Sequence, residues 1–137
     1  MNNKKIKILR SKIDKIDKSL YDLIQKRAKI AVEIGNVKSK IAPNSSFYKP
    51  DRESKILRNI ISSNKKGLLP DKNIRTIFKN IISGCLSLEE VLKVSYLGPE
   101  GTHSEAAVLN QFGSIIKRKP SLSIEDIFSE VLNQEAN

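Results

Sequence analysis

The sequence predicts an all-α unit of three helices, the first very long, followed by a short α/β segment. Three observations carry this expectation. Leu9, Ile13, Ile16, Leu20, Leu23, Ile24, Ala31 and Ile34 recur at the spacings of an amphipathic helix, and no proline precedes Pro43. Two clusters of turn-forming residues, Pro43 to Pro50 and Asn64 to Gly67, then separate shorter apolar stripes of the same period. From Lys93 the pattern changes to a β-type run, a glycine-rich turn and a helical segment. Residues 1–92 and 93–137 are therefore expected to be distinct units.

The first helix should run from Lys4 to Ile41, roughly 55 Å. Gly35 is its only weak helix former and costs about 1 kcal/mol relative to alanine. So long an apolar stripe outruns what two shorter helices of the same chain can cover. An intertwined homodimer is the expected solution.

Asp51 is expected to cap a second helix whose stripe is Ile56, Leu57, Ile60 and Ile61. Pro70 and Asp71 should open a third, with Ile74, Ile77, Phe78, Ile81, Ile82, Cys85 and Leu88 inward and an end near Leu92. Beyond it, Val94 to Leu97 reads as a strand, Gly98 to Thr102 as a turn and Ser104 to Phe112 as a helix. The N-terminus of such a helix can receive an anion. Ser121 to Leu132 is read as one more helix, and the remaining residues are too few to complete a parallel sheet. No period of 20 to 50 residues repeats, which excludes a solenoid.

Net charge is +10 and uneven. Residues 1–93 carry 22 Lys and Arg against 9 Asp and Glu, whereas residues 94–137 carry 3 against 6. The first part can attract an anionic small molecule, nucleic acid or a membrane surface, and the second cannot by charge alone. Most of the lysines read as a solvated surface. One cysteine, Cys85, permits no intrachain disulfide, and there is no signal peptide or membrane-spanning run, so a soluble cytoplasmic protein is expected.

Two basic residues stand where the first helix should be apolar. Arg27 follows Leu20 by seven residues and Lys38 follows Arg27 by eleven. Each step leaves the side chain within about 20° of the one before, so both cations point along the stripe. Either their stems cover apolar surface while the heads reach water, or an anion is bound between them, which two cations on one line favour. Asp51-Arg52-Glu53 adds a third cation beside a carboxylate. Cys85 and Glu89 are four apart on the third helix and share a face. Glu89 reads either as a surface acid near the helix end or as a group facing the same anion. Cys85 reads as a small core residue rather than a nucleophile.

His103 is the only histidine, which excludes metal clusters built on several histidines. No Walker sequence, nucleophile elbow, dinucleotide fingerprint or CxxC is present. Several cations with a carboxyl group, and no nucleophile, suit binding a small polyanion in a reactive shape and stabilising charge as it develops. A basic helical nucleic-acid binder fits less well, because two cations face the apolar side and no stacking platform or recognition helix is evident.

The blocks Leu9 to Asp17, Gln25-Lys26-Arg27-Ala28, Glu33-Ile34-Gly35-Asn36-Val37-Lys38 and Tyr48-Lys49-Pro50-Asp51-Arg52-Glu53 resemble, in order and spacing, those of the all-helical chorismate mutases. The likeness is greatest to the mutase domains fused to prephenate dehydratase in bacterial P-proteins of phenylalanine biosynthesis. Val94 to Ala107, VSYLGPEGTHSEAA, separately resembles the first block of prephenate dehydratase.

The resemblance implies three helices exchanged in a homodimer and rearrangement of chorismate to prephenate without a cofactor. It implies that Arg10 reaches the partner's site, which agrees with geometry, since Arg10 lies roughly 25 Å along the helix from Arg27 and is turned about 100° away. Arg27 matches the arginine that binds a substrate carboxylate, and Lys38 the lysine that reaches a carboxylate and the ether oxygen. Arg52 and Glu53 match the pair opening the second helix, with Glu53 accepting the substrate hydroxyl.

Three positions depart from the common pattern: Lys49 stands where some relatives have Asp, Cys85 where serine is frequent, and Glu89 where many use glutamine as a neutral donor. A glutamate donates only when protonated, so activity is expected to rise as pH falls. For the last segment no dehydratase activity is expected. The Thr-Arg-Phe motif of that family is absent, His103 replaces its usual aromatic residue, and the segment reads as a remnant cut short. A mutase-like module kept only for dimerisation or regulation is the remaining alternative, against which Arg10, Arg27, Lys38, Arg52 and Glu53 all argue.

Overall fold

A computed structural model describes residues 2–42 and 48–137. The turn expected at Pro43, Asn44, Ser45 and Ser46 lies outside the described residues. Helix α1 spans Asn2–Ile41, α2 Pro50–Ser63 and α3 Asp71–Leu86; strand β1 (Lys93–Leu97), helix α4 (His103–Phe112), strand β2 (Lys117–Ser121) and helix α5 (Ile124–Leu132) follow. The protein is mostly helical with one small parallel sheet.

The start of α2 corrects the sequence reading. Lys49 is the N-cap and Pro50 the first helical residue, so Asp51 does not cap. Pro50 loses nothing there because the first helical N–H has no intrahelical partner. Asp51 and Glu53 instead sit in the first turn, where their charge complements the helix dipole. At the far end Asn64 donates from its side chain to Leu69 O (2.9 Å) and Asp71 Oδ1 (2.7 Å), tying the end of α2 to the start of α3. A Cβ on Gly67 would lie 1.9 Å from Asn64 Oδ1, so a larger residue there would displace the Asn64 side chain from these bonds.

Helix α3 stops at Leu86, short of the expected Leu92. Ser87 Oγ bonds back to Gly84 O at 2.8 Å, and Leu88 and Glu89 donate to Cys85 O and Leu86 O in a tighter i to i−3 turn. The early stop frees Leu92 and Val94 to enter the core with Tyr96 and Val108. It also leaves Leu88 exposed, and Ile77 is exposed as well, against the expectation that both point inward.

A further correction is β2. Lys117 to Ser121 pairs in parallel with β1, from Lys93↔Lys117 to Leu97↔Ser121, with α4 as the connection. The segment expected to form a helix from Ser121 begins its helix only at Ile124, capped by Ser123, whose side chain accepts from Asp126 N–H. Glu130 on α5 binds Lys119 at 3.2 Å and accepts from Ser121 Oγ at 2.9 Å, which fastens α5 to the strand.

At the N-terminus of α4, a place able to receive an anion, the chain supplies its own carboxylate. Glu105 is buried, accepts from Gly101 N–H at 2.6 Å and pairs with Arg118, while Thr102 caps the helix.

Buried apolar side chains lie on α2, α3, α4, β1 and the loops; among the described residues none belongs to α1. Every described side chain from residue 3 to residue 26 is exposed. Ile13, Ile16, Leu20 and Leu23 each expose more than half of their surface (55%, 58%, 51% and 61%). Only the C-terminal part of α1 packs within the chain, against α3, which also touches α2 and α4. No described helix is long and apolar enough to cross a membrane.

Candidate active site

The C-terminal part of α1, the start of α2 and the end of α3 enclose a cavity of about 480 Å³. Its polar lining is Arg27 and Lys38 from α1, Lys49, Arg52 and Glu53 from the opening of α2, and Cys85 and Glu89 from the end of α3 and the turn after it. Ile30, Ala31, Ile34, Ile56, Ile82 and Leu86 supply apolar wall, and Tyr48 closes one side.

The helical period explains how α1 contributes. Arg27, Ile30, Ala31, Ile34 and Lys38 step by three and four residues and lie on one face. Arg27 and Lys38 are half-buried, in contrast to the exposed residues that precede them. Arg52 and Glu53 enter because their N–H groups both close on Lys49 O at 3.1 Å, which starts the helix where the chain meets the cavity.

Four cations and two carboxylates line the cavity. With both carboxylates ionised the balance favours a small dianion, held in a partly apolar enclosure where charge interactions are stronger than in water. Burial pushes the Glu53 carboxyl above its ordinary value, and the nearby charge of Lys79 opposes that shift. The Tyr48 phenol is likewise raised by burial, with Gln111 hydrogen bonding against the shift and the Glu53 charge adding to it.

Gly35 gives Glu89 its place. Among the described residues it is the only buried one of α1, and a Cβ there would lie 2.9 Å from Glu89 Cγ and 3.3 Å from Glu89 Oε2. The glutamate therefore rests on bare helix backbone. A second space of about 90 Å³, lined by Val32, Gly35, Asn36, Ser39 and Leu88, lies on its other side. Glu89 Oε2 is buried without a protein hydrogen-bond partner, an arrangement that costs free energy unless a ligand or water meets it.

Of the residues singled out in the sequence, Arg27, Lys38, Lys49, Arg52, Glu53, Cys85 and Glu89 line this one cavity, and Arg10 does not. Arg10 is exposed on the outlying half of α1. Sequence reasoning missed Tyr48 as a wall and Lys79 as a neighbour of Glu53. The aromatic residue just before Lys49-Pro50 was the available signal for the first, and nothing local signalled the second. Among the described residues no group of three or more His, Cys, Asp or Glu could hold a metal ion.

Three helices around a cation-lined cavity define an all-helical unit whose lining suits a small anion. Residues 9–90 match the family profile of chorismate mutase type II, and the chain belongs to that family. Residues 94–137 match the profile of prephenate dehydratase. The chain is 42% identical over 135 residues to a bifunctional chorismate mutase/prephenate dehydratase of Stutzerimonas stutzeri, covering 96% of this chain and 37% of that protein. Proteins with the same description from Pseudomonas aeruginosa and Aquifex aeolicus are each 40% identical, over 92% and 96% of this chain and 35% and 37% of theirs. The chain thus spans little more than a third of the length of these relatives. No solved structure matches it significantly.

Proposed function

We propose that residues 1–92 form a chorismate mutase unit, converting chorismate to prephenate for phenylalanine biosynthesis, and that residues 93–137 correspond to the start of a dehydratase domain without dehydratase activity of their own. The observation that carries this reading is the convergence of Arg27, Lys38, Lys49, Arg52, Glu53 and Glu89 on one cavity. Chorismate is a flexible dicarboxylate whose rearrangement is unimolecular. A C–C bond forms as the ether C–O bond breaks, through a chair-like transition state with negative charge growing on oxygen. Arg27 and Arg52, with Lys49 at the rim, hold carboxylates and restrict the substrate to the reactive conformer. Lys38 and Glu89 donate to the ether oxygen, more strongly as it charges. Glu53 accepts the hydroxyl, and Cys85 packs beneath the ring. No step calls for a cofactor.

The working form in this reading is a soluble cytoplasmic homodimer in which Arg10 of each chain completes the other's cavity. The exposed apolar stripe from Leu9 to Ile24 supports it, since monomers rarely leave so continuous a face in water. Decay of the chorismate ultraviolet band on adding purified protein, together with the solution mass, is the test. Turnover by a dimer is the expected result. A stable monomer that leaves chorismate untouched would end the proposal.

The Glu53 carboxyl gives binding an expected pH profile. Glu53 accepts best as the carboxylate and, with its pKa raised, loses that form at a less acidic pH than an ordinary glutamate. KM should therefore rise at the acid end. Glu89→Gln, which keeps the size of the side chain and offers a neutral donor, should retain or raise kcat. An inactive Glu89→Gln would remove Glu89 from this role.

Gly35→Ala is expected to lower kcat about tenfold by moving Glu89 off the helix backbone, while the helical circular dichroism is retained; small misplacements at a reacting centre have effects of this order. Wild-type kcat in this variant would mean that Glu89 does not need the space.

A further inference from the structure

The α/β segment touches the cavity wall at two points that the mutase reading does not use. Tyr48, which lines the cavity, packs its ring against Phe112 at the end of α4, with centroids 5.5 Å apart and planes tilted by 55°. The Gln111 side chain, next to Phe112 on α4, acts on the Tyr48 hydroxyl and opposes the rise of its pKa. Close by, the Lys79 ammonium on α3 donates to the terminal carbonyls of α4, Asn110 O and Gln111 O, the latter at 3.2 Å. The charge of the same lysine acts on Glu53 in the cavity. Cations at a helix C-terminus are stabilised by its unpaired carbonyls.

We propose that Gln111 and Phe112 are positioning residues for the cavity, acting through Tyr48 on the opening of α2. The chain enters α2 at Tyr48-Lys49-Pro50, so the place of the Tyr48 ring sets where Lys49, Arg52 and Glu53 begin. Lys49 makes no side-chain cap, and both Lys49 and Arg52 are exposed. Phe112 and Tyr48 border the cluster of Leu92, Val94, Tyr96 and Val108, as does Leu86 of α3, so the ring is braced largely by side chains of the α/β segment. The Lys79 contact further fixes the end of α4 against α3, and Ser83 Oγ, bonded to Ile115 O at 3.1 Å, adds a second tie. A stretch with no catalytic duty of its own thereby acts as a buttress for the neighbouring cavity.

The proposal rests on the mutase reading for its kinetic consequence but not for its structural one, so the test has two readouts on the full chain. Gln111→Ala removes an exposed side chain and Phe112→Leu keeps an apolar one, so both should fold with a melting temperature close to wild type. Amide hydrogen exchange over residues 48–56 should accelerate about tenfold in each, with exchange in α3 unchanged. KM for chorismate should rise about fivefold while kcat changes less than twofold, as expected for loss of binding shared by ground and transition states. Unchanged exchange over residues 48–56 in both variants overturns the proposal whether or not the wild type turns over chorismate. Faster exchange with wild-type KM overturns it too. Faster exchange in a protein whose wild type has no turnover supports the brace and counts only against the mutase reading.

Discussion

Lys38→Ala should lower kcat/KM for chorismate roughly a thousandfold, the scale on which loss of a single donor to a developing oxyanion is felt. The reason is positional. Lys38 is half-buried at the far end of the α1 stripe from Arg27, and both line the same cavity. A donor there strengthens its bond as the C–O bond breaks, so the loss should fall mainly in kcat. Lys38→Arg should recover little, because a planar fork does not reproduce a compact ammonium. Steady-state kinetics with circular dichroism as a folding control measures this. A loss confined to KM would assign Lys38 to ground-state binding alone.

Arg10→Ala should lower kcat/KM about a hundredfold, although Arg10 lines no cavity in its own chain. A charge-assisted pair to a carboxylate contributes up to about 3 kcal/mol, and that corresponds to this factor. No bend of a single helix can close both arginines on one ligand across roughly 25 Å. The effect therefore requires a second copy whose α1 lies along the exposed stripe. Salt should weaken it only modestly if the pair is enclosed. Wild-type kinetics in Arg10→Ala would mean that the cavity is complete within one chain.

How much of this could be read from the sequence depended on the kind of signal. The helical period alone put Arg27 and Lys38 on one line, because a helix repeats its faces regardless of what packs on it. That Lys49, Arg52, Glu53, Cys85 and Glu89 would meet them came from likeness to a family rather than from any local rule, and the meeting is a matter of tertiary packing. Strand β2 was missed because Lys117-Arg118-Lys119-Pro120-Ser121 has neither alternation nor β-branched residues; it pairs because β1 offers an edge and Glu105, Glu130 and Glu135 receive its cations. The end of α3 was placed too late because its apolar period continues past the point where Ser87 turns the chain. Asp51 is a capping residue by type, but Pro50 fixes the first helical position and the cap falls two residues earlier, at Lys49. The contact of Tyr48 with Phe112 joins residues 64 apart in sequence and leaves no trace in either neighbourhood.

The shared cavity is tested most directly by mixing two inactive variants. Arg10→Ala and Lys38→Ala proteins are unfolded together and refolded, and chorismate decay is compared with that of each variant treated alone. In a hybrid dimer one cavity carries both substitutions and the other carries neither. Random reassortment should therefore restore about a quarter of wild-type activity. A mixture no more active than its separate components would contradict a cavity built from two chains.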